Sequence, residues 1–196
     1  MPKLILASSS RYRKEMLQRL RLPFDVIAPE VDETPRPDET ADALSLRLAG
    51  EKAAAVARRE PGSVVIGADQ VLTLDGQSLG KPGSHTAAVQ QLQRLSGRTV
   101  TFHSALVVTD GLRTLQDDVM THCEFRSLSD AEIEFYLRAE TPYDTAGSAK
   151  AETLGIALMA RMTSDDPTAI IGLPLISLSN MLREFNIDPL RPTHSA

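Results

Sequence analysis

Apolar positions along the chain follow two rhythms, short runs that read as strands and stretches of helical period. The run Lys3 to Ala7 predicts a strand, and after SSS a helix follows from Arg11 to Arg21 with Met16, Leu17 and Leu20 on one face. Phe24 to Ala28 predicts a second strand. PEVDETPRPDET holds three prolines and five acids and reads as a loop. A helix from Ala41 to Arg59 is closed by Pro61-Gly62. The run Val64 to Ile66 opens a hairpin that turns at Asp75-Gly76. A helix from His85 to Leu95 comes next, then strands Val100 to Val108 and Thr114 to Phe125 around Asp110-Gly111. LSDAEIEFYLRAE predicts a helix with Ser129 as N-cap and Glu132 completing a capping box. YDTAGSAKAETLG is irregular, Ile156 to Met162 reads as a strand, and LPLISLSNMLREF as a closing helix. There is no internal repeat. Helices interleaved with strands, some joined by hairpins, predict an α/β or α+β fold with a mixed sheet.

Three places break the pattern. In GADQVLTLDGQSLGKP an acid, Asp69, interrupts the apolar run. Counting outwards from the turn pairs Leu72 with Leu79 and Gln70 with Lys81. Asp69, Gln70 and Lys81 then gather at one end of two strands. Strict alternation sets Asp69 and Lys81 on opposite faces, but Gly80 and Pro82 can break that register. The group is either an exposed ion pair or part of a site. On the helix Ala41 to Arg59, Lys52 falls inside the apolar arc between Leu48 and Val56, so it either snorkels to water or meets an anion. Finally, LASSSRYRKEML runs a strand into three hydroxyls and a helix that opens with Arg11, Arg13 and Lys14. Cations at a helix N-terminus oppose its dipole, so they serve either a solvated first turn or an anionic ligand. Asp32, Glu33, Asp38 and Glu39 lie in the acidic loop. One of them is a candidate metal ligand, and spacing does not choose it.

Composition narrows the classes. A net charge of −5 disfavours nonspecific nucleic-acid or membrane-surface binding. The lone Cys123 excludes an internal disulfide and reads as a buried thiol. The apolar run near the start is too short for a signal peptide, and no stretch is long enough for a membrane span. The expectation is a soluble cytoplasmic protein with residues 1–196 forming one domain.

LASSSRYR, VDET, GEKA, GADQV, GKP and AGSAKAE, in this order, resemble the Maf family of nucleotide pyrophosphatases over residues 3 to about 190. The resemblance implies an elongated mixed β-sheet flanked by helices, with two lobes around a nucleotide cleft. It also implies a divalent metal cation (Mg2+ or Mn2+), usually a homodimer, and hydrolysis of a nucleoside triphosphate to monophosphate and diphosphate. By residue, it implies phosphate binding by Ser8, Ser10 and Arg13. A catalytic cluster of Glu33, Lys52, Asp69 and Lys81 follows, with Asp69 as proton acceptor and Glu33 and Asp69 near the metal. Tyr12, Gln70 and Glu152 occupy three specificity positions and resemble the subgroup acting on 7-methyl-GTP. An aromatic face and a carboxylate both favour a cationic purine, and Gly147 and Ser148 are expected to leave room for a large base. Two departures stand out: Tyr12 replaces the subgroup's usual tryptophan and Arg11 the family's usual proline. The competing expectations are a dTTP/UTP or broad-range pyrophosphatase, and a nucleotide-binding regulator of septum formation without turnover.

Overall fold

The LILA run forms β1 (Leu4–Ala7), which pairs in parallel with β2 (Asp25–Ile27) on one side and β3 (Val64–Leu74) on the other. The structure, a computed structural model, describes residues 2–191. From β3 onward the sheet is antiparallel, through β5 (Thr99–Thr109), β6 (Thr114–Phe125) and β7 (Met159–Ser164). The order is β2-β1-β3-β5-β6-β7, with the short β4 (Gln77–Leu79) added to β3. Five helices flank this seven-stranded mixed sheet among the described residues: α1 (Arg11–Gln18), α2 (Ala41–Ala57), α3 (His85–Leu95), α4 (Asp130–Glu140) and α5 (Leu175–Glu184).

Alternation along β3 sorts the core. Val65 and Val71 face α2, where they pack with Ala49, Ala53 and Leu48. The other face carries two separate clusters. Val64, Ile66 and Ala68 join Met16 and Leu17 of α1 and Leu178 and Leu182 of α5. Leu72 and Leu74 join Leu92 of α3 and Ile133 and Leu137 of α4. Gln70, with Ser104 directly opposite on β5, lies between the two clusters. Two helical layers thus stand on one sheet with a gap between them.

The edges of β3 explain what the gap exposes. One edge is paired along its length by β5, from Val65↔Thr109 to Thr73↔Thr101. On the other edge β1 stops at Ala7↔Gly67 and β4 begins at Leu72↔Leu79. Residues 68–71 therefore have no strand neighbour on that side. Gly67 marks the approach of α2: a Cβ there would sit 2.1 Å from the carbonyl oxygen of Ala49. Only glycine lets the helix lie this close to the strand.

Several boundaries shift from the sequence expectation. The first helix ends at Gln18, because Arg19, Leu20 and Arg21 donate to carbonyls only three residues back and Arg21 turns left-handed. The closing helix starts at Leu175, with Pro174 as its N-cap. The strand expected over 156–162 is Met159–Ser164, preceded by a 3-10 turn at Leu154–Leu158. Pairing with β6 sets its position, not its apolar content. The hairpin register holds at Leu72↔Leu79 but the ladder ends there, so the expected pairing of Gln70 with Lys81 does not form; on its other edge Gln70 pairs with Ser104 of β5. The capping box of α4 forms as expected.

Candidate active site

The uncovered stretch of β3 is the floor of a cleft of about 790 Å³. All ten expected site residues, Ser8, Ser10, Tyr12, Arg13, Glu33, Lys52, Asp69, Gln70, Lys81 and Glu152, line it. Its walls include Leu44, Leu48 and Val71 from the α2 side and Ile170 and Ile171 from the far side.

Lys52 resolves the choice left open by its helix. It is 5% exposed, so it does not snorkel, and its Nζ lies 2.6 Å from Asp69 Oδ1 and 2.7 Å from Glu33 Oε1. One ammonium bridges two carboxylates, as a cation must when it leaves water. Asp69 is buried, whereas the Glu33 side chain is well exposed at the rim. The hydrogen bond from Lys52 holds the Glu33 carboxyl below the usual carboxylate range, against an opposing effect of burial. Lys81 and Arg13 pull it further in the same direction. Lys81 itself is exposed and, among the described residues, no carboxylate pairs with it. Since the ladder ends at Leu79, residues 80–82 leave the sheet and bring Lys81 to the same hollow as Asp69.

The N-terminus of α1 forms the second wall. Ser8 Oγ accepts from the Ser10 amide at 3.1 Å, and Ser10 Oγ caps the helix by accepting from the Arg13 amide at 3.4 Å. Each hydroxyl still has its own proton to donate. Arg13 Nε donates to the Gly172 carbonyl at 3.0 Å, and burial lowers its pKa while Asp69 and Glu33 oppose that. The guanidinium remains a cation. Arg11 lies over the Tyr12 ring, its Cζ 4.7 Å from the centroid, and donates to Tyr12 Oη at 2.8 Å. Lys14 is exposed and lies outside the cleft lining.

The acidic loop separates into distinct tasks. Glu33 reaches the cleft, and Asp32 Oδ1 accepts from the Thr34 amide. Glu39 pairs with Arg47 Nε at 2.6 Å, which lowers the Glu39 pKa to about 2. Arg47 also binds Glu51 and the Thr34 carbonyl, tying the loop to α2. Cys123 is fully buried, and burial pushes its thiol up to about 12. Gly147 and Ser148 correct an expectation. Both are buried: a Cβ on Gly147 would meet Leu72 Cδ2 at 2.7 Å, and Ser148 Oγ bonds Gln91. They serve core packing. Ala146 and Ala149 line the cleft instead.

Sequence reasoning missed the far wall. Residues 166–172 form a loop with a 3-10 turn at Ala169–Ile171, built on the buried carboxylate of Asp166. Asp166 Oδ1 accepts from the Thr168 amide and hydroxyl, and Oδ2 from the Ile176 and Ser177 amides at the start of α5. The one local signal was D-x-T ahead of a Gly-Leu-Pro. Its partners ten residues on are not visible in a period.

A buried lysine bridging two acids, with serine hydroxyls, a helix N-terminus and further cations around the same hollow, defines a phosphate-handling cleft on a mixed α/β sheet. The family model described as "Maf-like protein" matches residues 3–185, and the chain belongs to the Maf family. It is 68% identical to a 7-methyl-GTP pyrophosphatase of Bordetella avium over 97% of this chain and 96% of that protein. The protein of the same name in Bordetella pertussis is 66% identical, covering 96% of this chain and 95% of the other. That of Burkholderia pseudomallei is 60% identical, covering 93% and 87%. Among solved structures, the Ham1 protein of Staphylococcus aureus aligns over 64% of this chain and 72% of its own, with a TM-score of 0.48 and 18% identity.

Proposed function

We propose that this protein is a nucleoside triphosphate pyrophosphatase that hydrolyses 7-methyl-GTP to 7-methyl-GMP and diphosphate. The observation that carries the reading is Lys52, buried and bridging Glu33 and Asp69 on the uncovered stretch of β3. The relatives' shared name supplies the substrate.

In this reading water attacks the α-phosphorus. Its oxygen bonds to phosphorus while the bond from phosphorus to the α–β bridging oxygen breaks. Asp69 orients the water and takes its proton. Lys52 holds Asp69 in place and, with Arg13 and Lys81, neutralises charge on the phosphate oxygens and the departing diphosphate. Ser8 and Ser10 donate their free hydroxyl protons to the phosphate tail, beside the N–H groups of α1.

The reading includes a divalent cation, Mg2+ or Mn2+. Lys52 occupies only one oxygen of each acid; Asp69 Oδ2 and Glu33 Oε2 have no hydrogen-bond partner among the described residues. No group of three or more potential ligands forms a cage there among the described residues. One or two carboxylates completed by substrate phosphates suit magnesium. When bound, such an ion supplies charge neutralisation on the triphosphate.

Base preference rests on Tyr12, Gln70 and Glu152. The Tyr12 ring offers stacking, and the exposed Glu152 carboxylate accepts from guanine's ring N–H and amine while favouring the positive charge of a 7-methylpurine. A nucleotide partner without nucleic acid, a cytoplasmic location and a homodimer complete the reading, and they rest on family resemblance and the charge of −5. No helix among the described residues is long and apolar enough to cross a membrane.

Diphosphate release by the purified protein with magnesium or manganese tests the reading, using 7-methyl-GTP, GTP, dTTP and UTP. The expected ranking puts 7-methyl-GTP first. A preference for dTTP or UTP supports the pyrimidine alternative, and tight binding without release supports a regulator.

A further inference from the structure

Gln70 sits in the gap between the two helical layers, and its side-chain amide is heavily committed. Nε2 has three acceptors within reach: Ser104 Oγ at 3.0 Å, the Ala169 carbonyl at 3.0 Å and the Ile170 carbonyl at 3.2 Å. Reversing the amide would press its oxygen against two carbonyl oxygens with no proton between them. Ser104 is fully buried and donates its own proton to the Ala169 carbonyl at 2.9 Å. Its remaining lone pairs therefore face Gln70, and Ser104 accepts where it would otherwise be free to donate. The carbonyls cannot drift, because Asp166 ties the same loop to the first turn of α5. Both Nε2 protons are thus spent inside the protein. Gln70 Oε1 has no hydrogen-bond partner among the described residues, and Gln70 lines the cleft.

We propose that Ser104 is a positioning residue for base recognition: with the carbonyls of the Ala169–Ile171 turn it locks the Gln70 amide so that the cleft presents an acceptor there. This rests on the reading of Gln70 and Glu152 as the base-facing side of a nucleotide cleft. Gln70 and Glu152 line the same cleft, and an oxygen from Gln70 with a carboxylate from Glu152 would give its base-facing wall acceptors there. The matching ligand edge carries adjacent N–H donors, as guanine does at its ring N–H and exocyclic amine. A thymine or uracil edge, one N–H between two carbonyl oxygens, meets that wall with acceptors against acceptors and leaves groups unpaired.

The test uses binding, so it does not depend on turnover. Affinities of 7-methyl-GMP, dTMP and diphosphate are measured for the wild type and for Ser104→Ala. The expected result is a fall of about fivefold in the preference for 7-methyl-GMP over dTMP, the worth of one hydrogen bond. Diphosphate affinity should not change, since it reports the phosphate end. A merely structural role would leave the ratio intact, and a wild-type ratio in Ser104→Ala overturns the proposal. NMR of the Gln70 side-chain amide protons in the wild type, assigned by their loss in Gln70→Met, gives a second reading should the alanine variant not fold. Slow exchange with solvent and little shift on adding 7-methyl-GMP are expected. Fast-exchanging protons that shift strongly with nucleotide also overturn the proposal. If those protons are protected but the wild type prefers dTMP, the lock stands and the 7-methyl-GTP assignment fails.

Discussion

Asp69→Asn changes one oxygen to an amide nitrogen at the point where base, ammonium and substrate meet. The carbonyl oxygen of asparagine can still accept from Lys52, which sits 2.6 Å from Asp69 Oδ1, and Lys52 keeps Glu33 at 2.7 Å. The fold therefore loses only the charge in one hydrogen bond, worth about 1–2 kcal/mol. An amide cannot take a proton from water, so the rate falls by about 10²–10⁴, or roughly 3–5 kcal/mol of transition-state stabilisation. Binding moves the other way. A negative charge is removed from a cleft that receives a polyanion, so affinity for the triphosphate holds or rises, by up to about tenfold after screening. Diphosphate release gives the rate, and calorimetry with an α,β-methylene analogue in EDTA gives affinity free of metal effects. Thermal melting reports the fold. Turnover near the wild-type level in a folded Asp69→Asn protein would remove Asp69 from the chemistry and refute the reasoning. A parallel collapse of affinity and melting temperature would show it to be a structural acid.

Lys52→Met leaves Asp69 buried without its cation. A loss of about 2–3 kcal/mol is expected, at the low end for a broken buried pair because Glu33 is rim-exposed, with a melting temperature lower by about 5–10 °C. Adding Asp69→Asn should recover part of that loss, and strict additivity of the two would argue against the pair. Arg47 lowers the Glu39 pKa from an ordinary 4.5 to about 2, so the stability it contributes is fully present above pH 4.5 and disappears as pH falls toward 2. Melting of Glu39→Gln against the wild type should differ most near neutrality and converge in acid; a gap that widens in acid would contradict the sign. Glu152→Gln with Gln70→Thr should shift the diphosphate-release ranking toward dTTP and UTP, and an unchanged ranking counts against these side chains as base readers.

Local rules made part of the site legible, while the resemblance and not spacing singled out Glu33, Tyr12 and Glu152. Lys52 stood out as a charge within an apolar helical arc, and that arc is the face that α2 buries, from Ala41 through Leu44 and Leu48 to Val56. The Asp75-Gly76 turn fixed which residues of β4 meet Leu72 to Leu74. Ser10 and Ser129 cap the helices that their positions announce. Reading by analogy to size misled at Gly147, whose missing side chain accommodates Leu72 and not a base.

Periodicity and turn chemistry act over a few residues, so the sequence by itself determined the elements, their apolar faces and the oddly placed charges. Which strand stops where is a matter of pairing between distant segments. Only the tertiary structure decided that β1 and β4 leave residues 68–71 of β3 uncovered, which admits Asp69 and Gln70 to one cleft although their side chains start on opposite faces. It alone placed Ser104 and the Ala169 and Ile170 carbonyls around Gln70, across separations of up to about a hundred residues. A hydrogen bond depends on distance and angle in space, and no rhythm along the chain encodes either.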